Sequence, residues 1–273
     1  MKRLPKSTSK APELPPEQRQ LFVEVLELMN REQVPYVISG AFALHQHTGI
    51  CRDTKDLDLF LPAEHVHTAL DALRRNGYEI EIADPVWLAK AHRDDFFVDL
   101  ITGMSNGAVT VEQSWVDRST PCTVLGVPSR VLGPEELVAS KMFVTRRERF
   151  DGADICHVIY GTRGNFDWDY MMELVRQHGD HWEIMLWHLI LYHYVYPGQT
   201  DNVPRRIWDT LLTKFQRAVA NPDPKAKFRG SLIDENMFWI DVNEWGLPNT
   251  IEDLRDAREP KIIRESEEQA PAA

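Results

Sequence analysis

Two aspartates sit two residues apart in the stretch "RDTKDLDLFL", residues 52–61. Asp56 and Asp58 alternate there with Leu57 and Leu59, ahead of Phe60 and Leu61. If this segment is a strand, the two carboxylates share one face and the leucines share the other. Like charges so placed repel, and burying either costs several kcal/mol (roughly) without compensation. Three outcomes relieve the cost. One carboxyl is protonated, a basic side chain neutralises the pair, or the pair binds a divalent cation, for which oxygen ligands on a rigid strand suit Mg²⁺. A strand end at the solvent boundary is the plainer alternative for an isolated pair of this kind.

A third acid stands in a similar setting. "DDFFVDLITG" places Asp99 late in an apolar strand, between Val98 and Leu100. Three acids at strand ends in one domain can form a two-metal site or a metal site with a base. A second chemical feature lies upstream. "ISGAFA" puts Ser39 and Gly40 at a strand-to-helix junction, followed by Ala41. Amides at a helix N-terminus bind phosphate, and glycine lets a ligand approach the backbone. Such junctions are common in α/β folds. Neither G-x-x-x-x-G-K-[ST] nor G-x-G-x-x-G occurs, so a P-loop and a Rossmann dinucleotide site are not supported.

Bulk properties limit the class. The 273 residues are 43% hydrophobic and 27% charged, enough for one large or two modest globular domains. Net charge is −11, from 42 acids against 31 bases, which argues against a broad nucleic-acid-binding face. Cys51, Cys122 and Cys156 are few and far apart, so no disulfide framework or paired-cysteine zinc motif is expected. The histidine pairs at 45/47, 65/67 and 178/181 lack a matching second pair and read mostly as surface or interface positions; His188 and His193 read as core. The N-terminal stretch has no apolar h-region. The longest apolar run, residues 184–196, falls short of the roughly 20 residues of a membrane span. A cytoplasmic location is expected.

The elements that must position these groups follow from periodicity. Residues 17–31 carry apolar side chains at helical spacing. Strands are expected at 35–39, 56–61, 78–83, 96–102 and 110–115, with a hairpin over 122–132. Helices are expected at 40–47 and 63–77, the latter stopped by Gly77. "GPEELVASKMFVTRRERF" opens with Pro134, Glu135 and Glu136, a favourable helix start, and is read as helix to its end. Helices follow at 150–161, 165–178, 181–196 and 203–219. The expected fold is α/β (α+β): a small mixed sheet flanked by helices over 17–133, then a helical module over 134–257. Residues 1–16 and 258–273 read as disordered tails.

Order along the chain adds a resemblance. "SGAFALHQHTGICRDTKDLDLFLP" resembles the nucleotidyltransferase superfamily, where a strand–turn–helix element precedes D-x-D and a later strand supplies a third acid. The R-x-T-x-D-x-D form, from Arg52 and Thr54 to Asp56 and Asp58, is similar to the bacterial branch that includes the AbiEii toxins. "KMFVTRRERFDGADICHVI", residues 141–159, resembles that branch's helical fourth element, with a lysine and a downstream aspartate. The family's second small residue is usually Gly or Ser, and here it is Ala41. The resemblance implies that Asp56 and Asp58 hold Mg²⁺ (or Mn²⁺) on a nucleoside triphosphate. Asp99 would bind metal or deprotonate the acceptor hydroxyl. Ser39, Gly40 and Ala41 would contact a phosphate, and so would Lys141, whose plainer role is a solvated helix lysine. Arg52 and Thr54 either orient the aspartate pair or cap the strand. Asp154 bonds either Lys141 or an arginine; Arg146, Arg147 and Arg149 steer an anionic substrate or pair with nearby acids. The expected reaction moves a nucleoside monophosphate to RNA, protein or a small molecule. A Mg²⁺-dependent nuclease or phosphodiesterase and a non-catalytic nucleotide binder are the alternatives. An antitoxin protein is the partner that the toxin likeness implies.

Overall fold

The computed structural model describes residues 14–258. The expected tails lie outside these residues, apart from 14–16 and 258; Pro16 is already helical. The described residues divide into two compact units: residues 14–133 with 255–258, and residues 134–254.

The first unit is built on one seven-stranded mixed sheet. Helix α1 (Pro16–Arg31) turns Leu21, Phe22, Val25, Leu26 and Met29 inward, the one-sided spacing of an amphipathic helix. It packs against strands of the sheet and against helix α3 (Val66–Arg75), whose Ala69, Leu70, Ala72 and Leu73 are buried. Strand β1 (Val37–Ile38) runs into helix α2 (Gly40–Thr48) through Ser39. The remaining strands are β2 (Asp58–Phe60), β3 (Glu79–Asp84), β4 (Leu88–Arg93), β5 (Phe96–Ile101), β6 (Thr120–Val124) and β7 (Val127–Val131). Their order across the sheet is β3-β4-β5-β2-β1-β7-β6. β2 runs parallel to β5 and β1 parallel to β7, while the other neighbours are antiparallel. From the far end of the chain, Arg255 grips both carboxylate oxygens of Asp84, with the closest contact at 3.0 Å.

Three expectations are corrected here. Strand β4 lies in a stretch with no expected element. The strand expected over 110–115 is instead the entry to helix α4 (Gln113–Arg118), which buries Trp115; only Thr110 keeps a β-bridge, to Gly103. Asp99 lies inside β5 rather than at its end.

The second unit is helical. Helix α5 (Pro134–Lys141) is buried along its length and packs against α6 (Gly152–Thr162) and α7 (Trp168–Gln177). Helix α8 (Trp182–Val195) packs on α6 and on α9 (Arg205–Ala220). Helix α5 ends at Lys141, short of the expected 150, because the chain turns back there: Asp151 N–H donates to the Val144 carbonyl at 2.8 Å, and Thr145 bridges Phe150. His178, His181 and His188 are buried, whereas His193 is exposed. No helix among the described residues is long and apolar enough to cross a membrane.

Candidate active site

The three acids come together at the middle of the sheet. Asp58 opens β2 and is the in-register partner of Asp99 on the parallel neighbour β5. The backbone fixes this pairing from both sides. Asp99 N–H donates to the Leu57 carbonyl at 2.9 Å, and Ser39 N–H donates to the Asp58 carbonyl at 2.9 Å. Leu57 and Leu59 are buried at 0% and 1% exposure, so the alternation sends the leucines into the core and leaves both aspartates half-buried. One carboxylate oxygen from each of Asp56, Asp58 and Asp99 lies within 4.8 Å of the others.

The surrounding groups hold these carboxylates in place. Thr54 donates its hydroxyl to Asp56 Oδ1 at 3.0 Å and also lies 2.9 Å from the Asp56 carbonyl. Gln18 on α1 in turn donates to the Thr54 carbonyl at 3.2 Å, tying the 52–57 loop to the first helix. Gly40 has φ +57°, and a Cβ added there would stand 1.8 Å from Asp58 Oδ2. The glycine therefore makes room for the carboxylate at the start of α2, where the amide dipoles favour negative charge. Ser39 is buried, while Gly40 and Ala41 are half-buried beside it. Arg52 is exposed. Arg52, Thr54 and Ala41 line a cavity of about 230 Å³ together with Phe42, His45 and Val124.

One member of the cluster escaped the sequence reading. Lys90 on β4 faces Asp99 in register, and its Nζ donates to Asp99 Oδ1 at 2.6 Å. Burial pushes the Asp99 carboxyl above the usual carboxylate range; Lys90 pulls it back and the Asp56 charge raises it further. The signal for Lys90 was the pair Asp94–Asp95 ahead of "FFVDLIT". Asp94 adopts φ +53°, and this two-residue turn joins β4 to β5 as a hairpin.

Lys141 and Asp154 belong to the second unit, in a separate cluster. The Lys141 ammonium is buried and bonds Asp151 and Asp154, the latter at 2.9 Å. Arg149 adds a two-pronged contact to Asp151, with both bonds at 3.1 Å. Burial raises the Asp151 carboxyl, but Lys141 and Arg149 outweigh it and leave the group below its usual range.

The first unit is thus an α/β module with three aspartates gathered beside a glycine-led helix, and the class of protein it belongs to is given by its family. The chain belongs to the uncharacterised nucleotidyltransferase family, whose model matches residues 5–193. That model does not carry the narrower AbiEii likeness. No match was found among curated proteins. Among solved structures, the chain is similar to the antibiotic-resistance factor ANT(2'')-Ia, at 16% identity over 66% of this chain and 100% of that one, with a TM-score of 0.45. It is also similar to an antigenic nucleotidyltransferase-like protein from Paracoccidioides brasiliensis, at 17% identity over 70% of this chain and 95% of that one, with a TM-score of 0.44. The lincosamide antibiotic adenylyltransferase LnuA shares 16% identity over 55% of this chain and 98% of that one, with a TM-score of 0.38.

Proposed function

We propose that the first unit transfers a nucleoside monophosphate from a nucleoside triphosphate to an acceptor hydroxyl or similar group, using Asp56, Asp58 and Asp99. The observation that carries this reading is the convergence within 4.8 Å of three carboxylates, from β5, from the first residue of β2 and from the loop just before it. All-oxygen donors on a rigid sheet fit a hard divalent cation, Mg²⁺ or Mn²⁺, better than a soft one. Asp56 and Asp58 would hold it, with Asp99 as the third ligand. When bound, such a cation neutralises charge on the triphosphate and on the departing pyrophosphate.

The chain's own residues have three tasks. Thr54 keeps one Asp56 oxygen turned to a fixed direction. The backbone around Ser39, Gly40 and Ala41 supports a phosphate contact at the start of α2. Asp99, its proton affinity raised by burial, is suited to receive the acceptor's proton as well as to bind metal. In the transfer, the acceptor oxygen bonds to the α-phosphorus. The bond from that phosphorus to the β-phosphate oxygen breaks, and pyrophosphate leaves with the electron pair. Positioning and charge neutralisation supply most of the acceleration in chemistry of this kind. Arg52, exposed beside Thr54 in the first unit, stays a further candidate for phosphate contact or support.

The test uses the full chain with each α-phosphate-labelled nucleoside triphosphate, Mg²⁺ and cell extract, beside Asp56→Ala/Asp58→Ala. Label passing to RNA, protein or a small molecule in the wild type alone supports the proposal and names the acceptor. Nucleic-acid cleavage without added triphosphate would replace transfer by hydrolysis. Triphosphate binding with no transfer to any acceptor would favour a nucleotide-binding partner in a toxin–antitoxin pair.

A further inference from the structure

Lys90, Asp99 and Asp58 form a row across three adjacent strands. Lys90 is the antiparallel register partner of Asp99, and Asp99 is the parallel register partner of Asp58. Residues paired in this way project from the same face of a sheet. Phe97, two residues before Asp99 on β5, shares that face. Its ring lies under the Lys90 ammonium, 4.2 Å from Nζ to the centroid. The ammonium is therefore held from two sides, by an aromatic face and by Asp99 Oδ1 at 2.6 Å. The buried neighbours Ala89 and Ala91 anchor the strand on its other face.

We infer that the Lys90 ammonium takes the place of a second divalent cation, so that the nucleotide-free triad binds one metal ion and not two. This inference rests on the metal-site reading above. Two-metal centres place their ions about 3.5–4 Å apart, with a carboxylate shared or reached by each. Here one oxygen of the third carboxylate already carries a cation at hydrogen-bond distance. A second divalent ion on Asp99 would sit against the ammonium. At short range and intermediate dielectric, like-charge repulsion of this kind is large compared with thermal energy. Lysine suits the role because its charge is a compact point on a long stem. Lys90 is thus a positioning residue that sets metal stoichiometry through its contact with Asp99.

The experiment is titration of the full chain with MnCl₂ alone, read by calorimetry and by electron paramagnetic resonance of free and bound Mn²⁺. Wild type and Lys90→Arg should bind one Mn²⁺ per chain. Lys90→Gln and Lys90→Met should bind a second, at least about tenfold more tightly than any further ion on wild type. Circular dichroism and melting curves show which of the two neutral variants is folded, and either suffices. Two ions of similar affinity on wild type overturn the inference, as does a wild-type isotherm in the folded neutral variants. If Asp56→Ala/Asp58→Ala binds Mn²⁺ as wild type does, the metal-site reading itself fails and takes this inference with it.

Discussion

Asp58 rests its carboxylate on the Cα of Gly40: a β-carbon at position 40 would stand 1.8 Å from Asp58 Oδ2. Two residues 18 positions apart are thus one structural unit, since the acid can take its place only where the other position has no side chain. Gly40 also adopts φ +57°, a conformation that costs an L-residue roughly 1–2 kcal/mol. Gly40→Ala should lower unfolding stability by about 1–3 kcal/mol. It should weaken Mn²⁺ binding more than tenfold (roughly 1.4 kcal/mol) by pushing the Asp58 carboxylate aside. Thermal melts and Mn²⁺ titration measure the two effects separately. Undiminished Mn²⁺ affinity in a folded variant would show that Asp58 does not need this seat.

Thr54 should matter through the direction it gives Asp56. A hydrogen bond to a charged acceptor contributes roughly 1.5–3 kcal/mol. Thr54→Val keeps the shape and removes the donor, so metal affinity and transfer rate should each drop by about tenfold or more, while the melting temperature changes little. Thr54→Ser restores the donor and should recover most of the loss. A valine variant indistinguishable from wild type would mean that Asp56 orients itself.

The legible parts of this protein are those where one period dominates. Leu57 and Leu59 alternate with Asp56 and Asp58, so the buried and half-buried positions could be read from six residues, although the strand expected over 56–61 is shorter and begins only at Asp58. Helix α1 was equally readable because its buried side chains recur at helical spacing. Strand β4 was not, and its sequence "LAKAHR" explains why. Its inward side chains are Ala89 and Ala91, which are small and weak β-formers, so the alternation carries little hydrophobic contrast. Missing β4 meant missing Lys90, whose role depends wholly on cross-strand register. The end of α5 was hidden for a related reason. What stops the helix near Lys141 is the turn back that bonds Asp151 N–H to the Val144 carbonyl, and no local propensity records that. Lys141 then contacts Asp151 and Asp154, ten and thirteen residues on.

That contact makes Lys141 a strong determinant of the helical unit. Its side chain is 7% exposed, and it bonds Asp151 and Asp154, whose side chains are 11% and 4% exposed. Removing the cation leaves two buried carboxylates with Arg149 as the remaining base contacting Asp151. Breaking a buried pair from one side costs roughly 3–5 kcal/mol. Lys141→Met should destabilise by about that much in denaturant unfolding. Adding Asp154→Asn should give back part of the loss instead of adding to it, since the two groups share one network. Additive losses in the double variant would argue that the ion pair contributes nothing as a pair.

His181 predicts an acid limit to the stability of the same unit. Its ring is buried edge-on against Phe143, with 4.9 Å between centroids. Burial, reinforced by the Arg229 charge and opposed by Asp180, holds its pKa down to about 4. The neutral ring is therefore the form the fold accepts. Unfolding returns the group toward 6.5, so between those values the unfolded chain binds more protons than the folded one. Stability from this residue is fully present above pH 6.5 and is lost as pH falls toward about 4. The loss amounts to about 3 kcal/mol at 1.36 kcal/mol per unit of displacement. His188 is lowered by burial as well, against an opposing contribution from its bond to the Met142 carbonyl, and acts in the same direction. Urea unfolding at about pH 7.5, 6 and 5 should show the decline, and His181→Gln should flatten it by removing the titrating ring. An unchanged pH dependence in that variant would assign the acid sensitivity to His188 or to the carboxylates instead.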